Sequence, residues 1–250
     1  LVPTFRPEIT GISAQVHLPA YLDRPEAVMR DVRGGVLSVV KGSSVVVTAT
    51  SSRDLVAATI DGAGVMPAGA TISTPPLVVD RSLDLALAWQ DELGLSGSRP
   101  LIVTLAAVDD APPTIAVDGL FGKAVLLESE TVRFSLQARD DHGVKQVGIE
   151  WIGIESGGSE SAGGSVKGER VLAGGGPAVE TLDGIGTFSP AALAIGPQTV
   201  EVRAFAEDYL PGRDRSYSSP AVFLVMTSAD HALWINDQIG RWKQQTAEVR

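Results

Sequence analysis

The chain of 250 residues contains no cysteine. Disulfides, thiolate zinc sites and cysteine nucleophiles are excluded together, although the compartment is not fixed by this, since a large enough core needs no disulfide. Histidine is nearly as scarce. His17, His142 and His231 fall in separate regions, and no H-E-x-x-H pair exists, so a zinc hydrolase has no ligand set. Aromatic residues make up only 5%, which leaves Val, Leu, Ile and Ala to build the core. Basic residues are outnumbered, 20 against 30 acids, for a net charge of −10. A phosphate-binding surface needs a basic footprint, so nucleic acid is excluded as a partner. No apolar run reaches the roughly 18 residues of a membrane span. No signal peptide is visible in the opening LVPTFRPEITGIS. A start at Leu1 rather than Met, and an end at Arg250 inside a helical pattern, suggest a piece of a longer protein.

What is present is alternation. Leu83, Leu85, Leu87 and Trp89 alternate with Asp84, Ala86, Ala88 and Gln90. The same pattern holds for Val132, Phe134, Leu136 and Ala138, for Val147, Ile149 and Trp151, and for Val200, Val202, Ala204 and Ala206. Neighbouring side chains on a strand point to opposite faces, so each run has one core face and one wet face, as in half-buried antiparallel strands. Turn signals punctuate them: Lys41-Gly42-Ser43, Asp61-Gly62, Gly94 with Gly97, Asp118-Gly119 and Pro211-Gly212. The 27 Gly and 15 Pro agree with many short strands. No amphipathic helical run lies between Glu150 and Ser228, which argues against a parallel βαβ architecture.

These patterns predict an all-β chain of two tandem immunoglobulin-like β-sandwich domains with a C-terminal helix. Residues 1–11 read as an extended segment, 12–110 as the first sandwich and 111–227 as the second. Asp109-Asp110-Ala111-Pro112-Pro113 marks the boundary, because two prolines hold the chain extended and donate no ladder hydrogen bonds. Acids outnumber bases on both sides, 11 to 7 over 12–110 and 15 to 9 over 111–227. The halves also resemble each other. Val45 and Val47 fall on Val132 and Phe134, 87 positions on; Leu55, Ala58 and Ile60 fall on Val144, Val147 and Ile149, 89 positions on. A repeat of that length is a whole domain. The Gly/Ser-rich stretch 156–176 reads as a mobile hairpin extension of the second sandwich.

From 228 to 250 the pattern becomes helical, with Ser228 as N-cap and Asp230 in the first turn. Ala232, Ile235, Ile239, Trp242, Thr246 and Val249 recur at spacings of three and four. This is an a/d seam, the possible start of a coiled-coil stalk, through which a protein partner or a second copy could be held. The other reading is a single amphipathic helix lying on the second sandwich.

Chemistry is hard to place. There is no G-x-S-x-G elbow, Gly122-Lys123 is followed by Ala124 rather than the Ser or Thr of a P-loop, and GAGVMPAG at 62–69 lacks dinucleotide-binding spacing. Glu150 and Glu155 are near in sequence, but a glycosidase pair is defined across a cleft. One acidic pattern recurs at strand ends: Asp109-Asp110, Asp140-Asp141 and Glu207-Asp208. Carboxylates so placed can hold Ca²⁺, or they can cap turns by accepting backbone N–H bonds; turn capping is the simpler expectation. No catalytic, cofactor-binding or metal residue is assigned, and no cofactor is expected. Trp89 and Trp151 lie on inward registers, whereas Trp234 and Trp242 lie on the terminal helix.

Several segments in order, HLPAYLDRP, LSVVKGSSVVVTA, LAWQDELGLSG, VDDAPPTIAV, LQARDDHGVKQVGIEW and TSADHALWINDQ, make the chain similar to a group of uncharacterised bacterial membrane-anchored proteins. The similarity covers most of residues 14–240, and its most specific piece is the DD-x-G-V connector at 140–144. The resemblance implies Ig-like domains between an N-terminal membrane segment and a long Gln-rich helical region. It implies no catalytic residue. The expected function is a non-enzymatic spacer or protein-interaction module on the periplasmic or extracellular side of a membrane-anchored protein. The alternative is a carbohydrate-binding or calcium-dependent adhesion module.

Overall fold

The computed structural model describes residues 4–154 and 166–248. The chain divides into two compact units, Leu1–Asp110 and Ala111–Arg250. Each has its own two sheets and its own aliphatic core.

The first unit contains ten strands: β1 (Ile9–His17), β2 (Val28–Asp31), β3 (Val36–Val40), β4 (Ser43–Ser51), β5 (Leu55–Ile60), β6 (Ala63–Val65), β7 (Thr71–Ser73), β8 (Leu77–Val79), β9 (Leu83–Asp91) and β10 (Leu101–Val108). One sheet runs β2-β1-β4-β7, with β8 also on β4, and the other β3-β10-β9-β5-β6. Inner-face residues Val45, Val47 and Ala49 from β4 meet Leu85, Leu87 and Trp89 from β9 in one cluster. The described part of the segment 1–11, read from the sequence as extended, contributes to this unit. β1 begins at Ile9, and the Pro7 carbonyl accepts a 2.9 Å hydrogen bond from the Trp89 indole, which a buried Trp needs.

The second unit contains β11 (Thr114–Asp118), β12 (Lys123–Leu127), β13 (Val132–Arg139), β14 (Gln146–Ile154), β15 (Lys167–Gly174), β16 (Thr181–Phe188), β17 (Thr199–Glu207), β18 (Ser216–Tyr217) and β19 (Ala221–Met226), then the helix α1 (Ser228–Glu248). Its sheets run β11-β13-β16 and β12-β19-β17-β14-β15, with β18 on β17. The order follows that of the first unit, except that β2 and β18 have no counterpart and the single strand β16 takes the place of β7 and β8. In both, a strand near the unit's start (β3, β12) pairs in parallel with the unit's last strand (β10, β19), while the other ladders are antiparallel. To reach β12 the chain must leave β11 and change sheets. Gly119 makes the bend, at φ 82° and with its Cα so close to the Arg133 carbonyl that a Cβ would lie 2.6 Å from that oxygen. The core is aliphatic around one aromatic group, in which Phe188 stacks on Phe223 at 5.7 Å and meets Trp151 edge-on at 6.4 Å.

The stretch expected as a mobile extension is partly a built strand. Residues 155–165 lie outside the described residues, but Lys167–Gly174 is β15, paired with β14 along its length. Of its two glycines, Gly168 is there for packing. A Cβ on Gly168 would lie 2.4 Å from the Trp151 ring, so a composition that reads as linker is partly the contact surface of an indole.

Alternation along β17 places Phe205 on the wet face, opposite Val202, Ala204 and Ala206. The ring is nevertheless fully buried. Gly148 on β14 leaves room for it, since a Cβ there would meet the ring at 2.6 Å, and the Arg215 guanidinium covers it at 4.1 Å from the centroid.

Candidate binding surfaces

The strand-end carboxylates do local work in the turns. Asp140, following β13, accepts the backbone N–H of His142 at 2.8 Å and of Gly143 at 2.7 Å through one oxygen. Asp208, following β17, accepts Leu210 N–H at 3.2 Å and pairs with Arg213 at 2.6 Å. In the second unit these two carboxylates come within 4.8 Å of each other. In the first unit, Asp110 accepts a 2.9 Å bond from the Tyr21 hydroxyl, and Asp109 pairs with Lys41 at 2.6 Å. Asp141 reaches His142 at 3.5 Å.

The most buried of these devices was not among the residues singled out from the sequence. Asp91, 1% exposed at the end of β9, takes the N–H groups of Leu93 and Leu95 at 3.0 and 2.8 Å on one oxygen and Arg53 at 3.1 Å on the other. The pointer was Asp91-Glu92-Leu93-Gly94, an Asp at a strand end followed by a turn glycine.

A charged lattice covers the outer face of β14, β17 and β18. Arg203 bridges Glu150 at 3.1 Å and Glu201 at 3.3 Å. The Tyr217 hydroxyl donates to Glu150 at 3.1 Å. Glu207 binds Lys145 at 2.7 Å and Gln146 at 2.8 Å, and Arg215 binds Glu169 at 2.6 Å. The titrations follow. Burial raises the Glu207 pKa, but hydrogen bonds from Lys145 and Gln146 and nearby positive charge outweigh it, and the net direction is down. The Arg215 hydrogen bond, then its charge, lowers Glu169, and Arg215 itself is raised by the same partner. Burial and the bond to Glu150 raise Tyr217. Each shift deepens the charge state the group already has near neutral pH, the reverse of what a general acid or base needs. Glu150 is thus engaged by Arg203 and Tyr217, and Glu155 lies outside the described residues.

A shallow dish of ≈460 Å³ opens on the outer face of β11, β13 and β16, lined by Ala116, Asp118, Ser135, Gln137, Asp183 and Ile185. Gln137 donates to Asp183 at 2.8 Å across it. Its lining has no aromatic ring to stack on a sugar.

The helix offers a different surface. Thr227 caps it, one residue earlier than the expected Ser228. The Thr227 hydroxyl oxygen accepts the Asp230 N–H at 3.1 Å and donates to the Asp230 carboxylate at 2.7 Å. An Asp237–Arg241 pair at 2.9 Å supports it one turn apart. From Ser228 to Gln245, every residue except His231 and Gln238 is exposed. Ile235 is 39%, Ile239 48% and Trp242 77% exposed, so the expectation of a helix laid on the sandwich is not what the structure shows. Trp234 stacks on His231 at 6.0 Å. Thr246 and Val249 of the seam lie outside the described side chains. No described helix is long and apolar enough to cross a membrane.

No family model and no curated protein matches the chain. Solved structures give weak similarities. The fibronectin(III)-like modules of Clostridium thermocellum CbhA are 15% identical, with a TM-score of 0.28 over 77% of this chain and 90% of that one. A chimeric titin Z1Z2 tandem is 12% identical, with a TM-score of 0.23 over 77% and 95%. A bacterial ice-binding adhesin is 10% identical, with a TM-score of 0.30 over 88% and 87%. Similarity at this level does not specify a function.

Proposed function

We propose that the chain is a non-enzymatic interaction and spacer module: tandem immunoglobulin-like sandwiches that present a helix for association, within a larger membrane-anchored bacterial protein and on the outer side of its membrane. The observation that carries the reading is α1, whose Ile235 and Ile239 stay exposed on one face while the described core of the sandwich is complete. Both core clusters close without helix residues. Leaving Ile235 and Ile239 39% and 48% exposed forfeits part of the roughly 1.5–3 kcal/mol that full burial of each would give, which favours a partner for that face. The strand-end carboxylates support the non-enzymatic part, since they are committed to turns and ion pairs. Placement outside the membrane follows the sequence resemblance and is tested by protease accessibility of the tagged whole protein in intact cells.

Sedimentation equilibrium over a wide concentration range tests the association. The apparent mass should rise with concentration for the parent and stay at one copy for Ile239→Asp, with both chains equally stable to urea. A strict monomer at all concentrations would reject the reading.

A second reading, calcium-dependent adhesion, has one observation in its favour, the approach of Asp140 and Asp208 within 4.8 Å. Arg213 already supplies a positive charge there. Calorimetric titration with Ca²⁺ separates the two: saturable heat that disappears in Asp140→Ala favours adhesion.

A further inference from the structure

The outer edge of β16 leaves its backbone open. The Arg133 carbonyl faces β11, where it meets Gly119. The odd-numbered residues of β13 therefore turn their N–H and C=O groups to β11, and the even-numbered ones turn theirs to β16. By the register from Val132↔Phe188 to Arg139↔Thr181, Thr181, Asp183, Ile185 and Thr187 turn theirs the other way, where no described strand pairs. All four residues are exposed. The Arg170 guanidinium donates to the Thr187 carbonyl, one of these outward groups. The first unit closes the same position. There Thr74-Pro75-Pro76 splits the edge into β7 and β8, and prolines donate no ladder hydrogen bond. β15, an edge of 8 residues in the other sheet, is guarded by Lys167, Glu169 and Arg170. β16 has the same 8 residues, no proline and a single charge. Its Ile185 is 84% exposed. An open edge with an exposed apolar side chain is a template for another strand.

We propose that β16 is a docking edge for an extended segment of a partner protein, which adds antiparallel as a fourth strand to β11-β13-β16. The proposal is independent of α1. Main-chain hydrogen bonds to the open edge would hold the segment, and the outward side chains set its chemistry. Alternate residues of the added strand would stand opposite Thr181, Asp183, Ile185 and Thr187. Asp183 and Asp118 are the charged groups of the dish on this face, whose lining holds no basic residue. Asp183 accepts one hydrogen bond, from Gln137. A basic residue opposite Asp183 and an apolar one opposite Ile185 therefore complement the edge in charge and in apolar surface. A second copy of β16 does not, because it brings another Asp183 and no base.

The probe is the end-capped peptide Thr-Thr-Val-Thr-Lys-Thr-Thr, which sets Val opposite Ile185 and Lys opposite Asp183. It is titrated into the full chain by calorimetry, with the backbone amides followed by NMR. Saturable binding is expected, with the amide shifts centred on β16. Methylating the Val nitrogen removes a donor aimed at β16 and should abolish binding. Methylating the next Thr nitrogen, which points away, should change the affinity by no more than about twofold. Asp183→Lys should weaken this peptide about tenfold and restore binding to the peptide with Glu in place of Lys. Ile185→Pro removes an N–H aimed at the open side, leaves the ladder with β13 whole, and should also abolish binding. No saturable heat, or equal binding by the two methylated peptides, overturns the proposal. A dimer that persists in Ile239→Asp and is lost when Ile185→Pro is added gives the edge to a second copy, and overturns it as well. Ile239→Asp alone should bind the peptide as the parent does, so a failure of this proposal is distinct from a failure of association through α1.

Discussion

Asp91→Ala is the substitution that most sharply separates a carboxylate used as a turn cap from one held for an ion or a reaction. One Asp91 oxygen takes the N–H groups of Leu93 and Leu95, and the other takes Arg53. Truncation leaves two backbone donors without their acceptor in a site where the side chain is 1% exposed. Each such donor costs about 1–3 kcal/mol, and the ion pair adds little because the Arg53 side chain is 31% exposed. The expected loss is about 3–4 kcal/mol, a shift of roughly 2 M in the urea midpoint of the first unit. Asp91→Asn keeps the accepting oxygen and loses the charge, so it should cost only about 1 kcal/mol. Trp89, two residues away and 8% exposed, reports the transition in a background where Trp151, Trp234 and Trp242 are each replaced by Phe. An Asn variant as damaged as the Ala variant would show that charge pairing, not turn capping, holds the loop. A loss below about 1 kcal/mol for Ala would show that the loop needs neither.

Two further outcomes follow from the second unit. Gly148→Val should lower its melting temperature sharply, by about 3 kcal/mol of stability or more, because the new Cβ falls 2.5 Å from the Arg170 carbonyl and 2.6 Å from the Phe205 ring. An unchanged thermal transition would mean that Phe205 is not held as described. For Glu207, whose folded pKa lies below the ordinary 4.5, the pairing with Lys145 and Gln146 stabilises fully above that ordinary value and is lost as pH falls through the lowered one. Glu207→Gln should therefore be less stable by about 1–2 kcal/mol at pH 7 and match the parent near pH 2–3, as urea midpoints across that range would show. A constant difference at every pH would assign the effect to packing.

The strands were legible because period-two alternation is a direct image of a sheet with one buried face. Leu83 to Trp89 and Val132 to Ala138 fall on the core clusters in the register the alternation predicts. Most turn glycines were legible for a steric reason: Gly42, Gly62, Gly94, Gly119 and Gly212 adopt positive φ, whereas Gly97 does not and instead makes room for the Trp89 ring. What was hidden depended on distant partners. Phe205 reads as solvent-facing until Arg215 and Gly148 are brought around it by pairings no local pattern encodes. β15 is disguised by glycines whose purpose, at Gly168, is the approach of Trp151. The parallel pairings β3–β10 and β12–β19 join segments far apart in the chain. Asp91 shows no sign of burial because its type is usually exposed. On α1 the a/d spacing was visible, and the cap was displaced by one residue because Thr227 and Ser228 are both competent caps and only Thr227 has Asp230 three positions on.

The central claim is that α1 is held by association and not by its own sandwich. Hydrogen exchange on the parent chain over a dilution series measures this directly. A lone helix of this length is marginal in water. Amides from Ala232 to Trp242 should be protected at high concentration and lose that protection on dilution, while those of β13, β14 and β17 stay unchanged. Protection of α1 that persists undiminished to the lowest concentration would mean that the helix packs within its own chain, and would contradict the account.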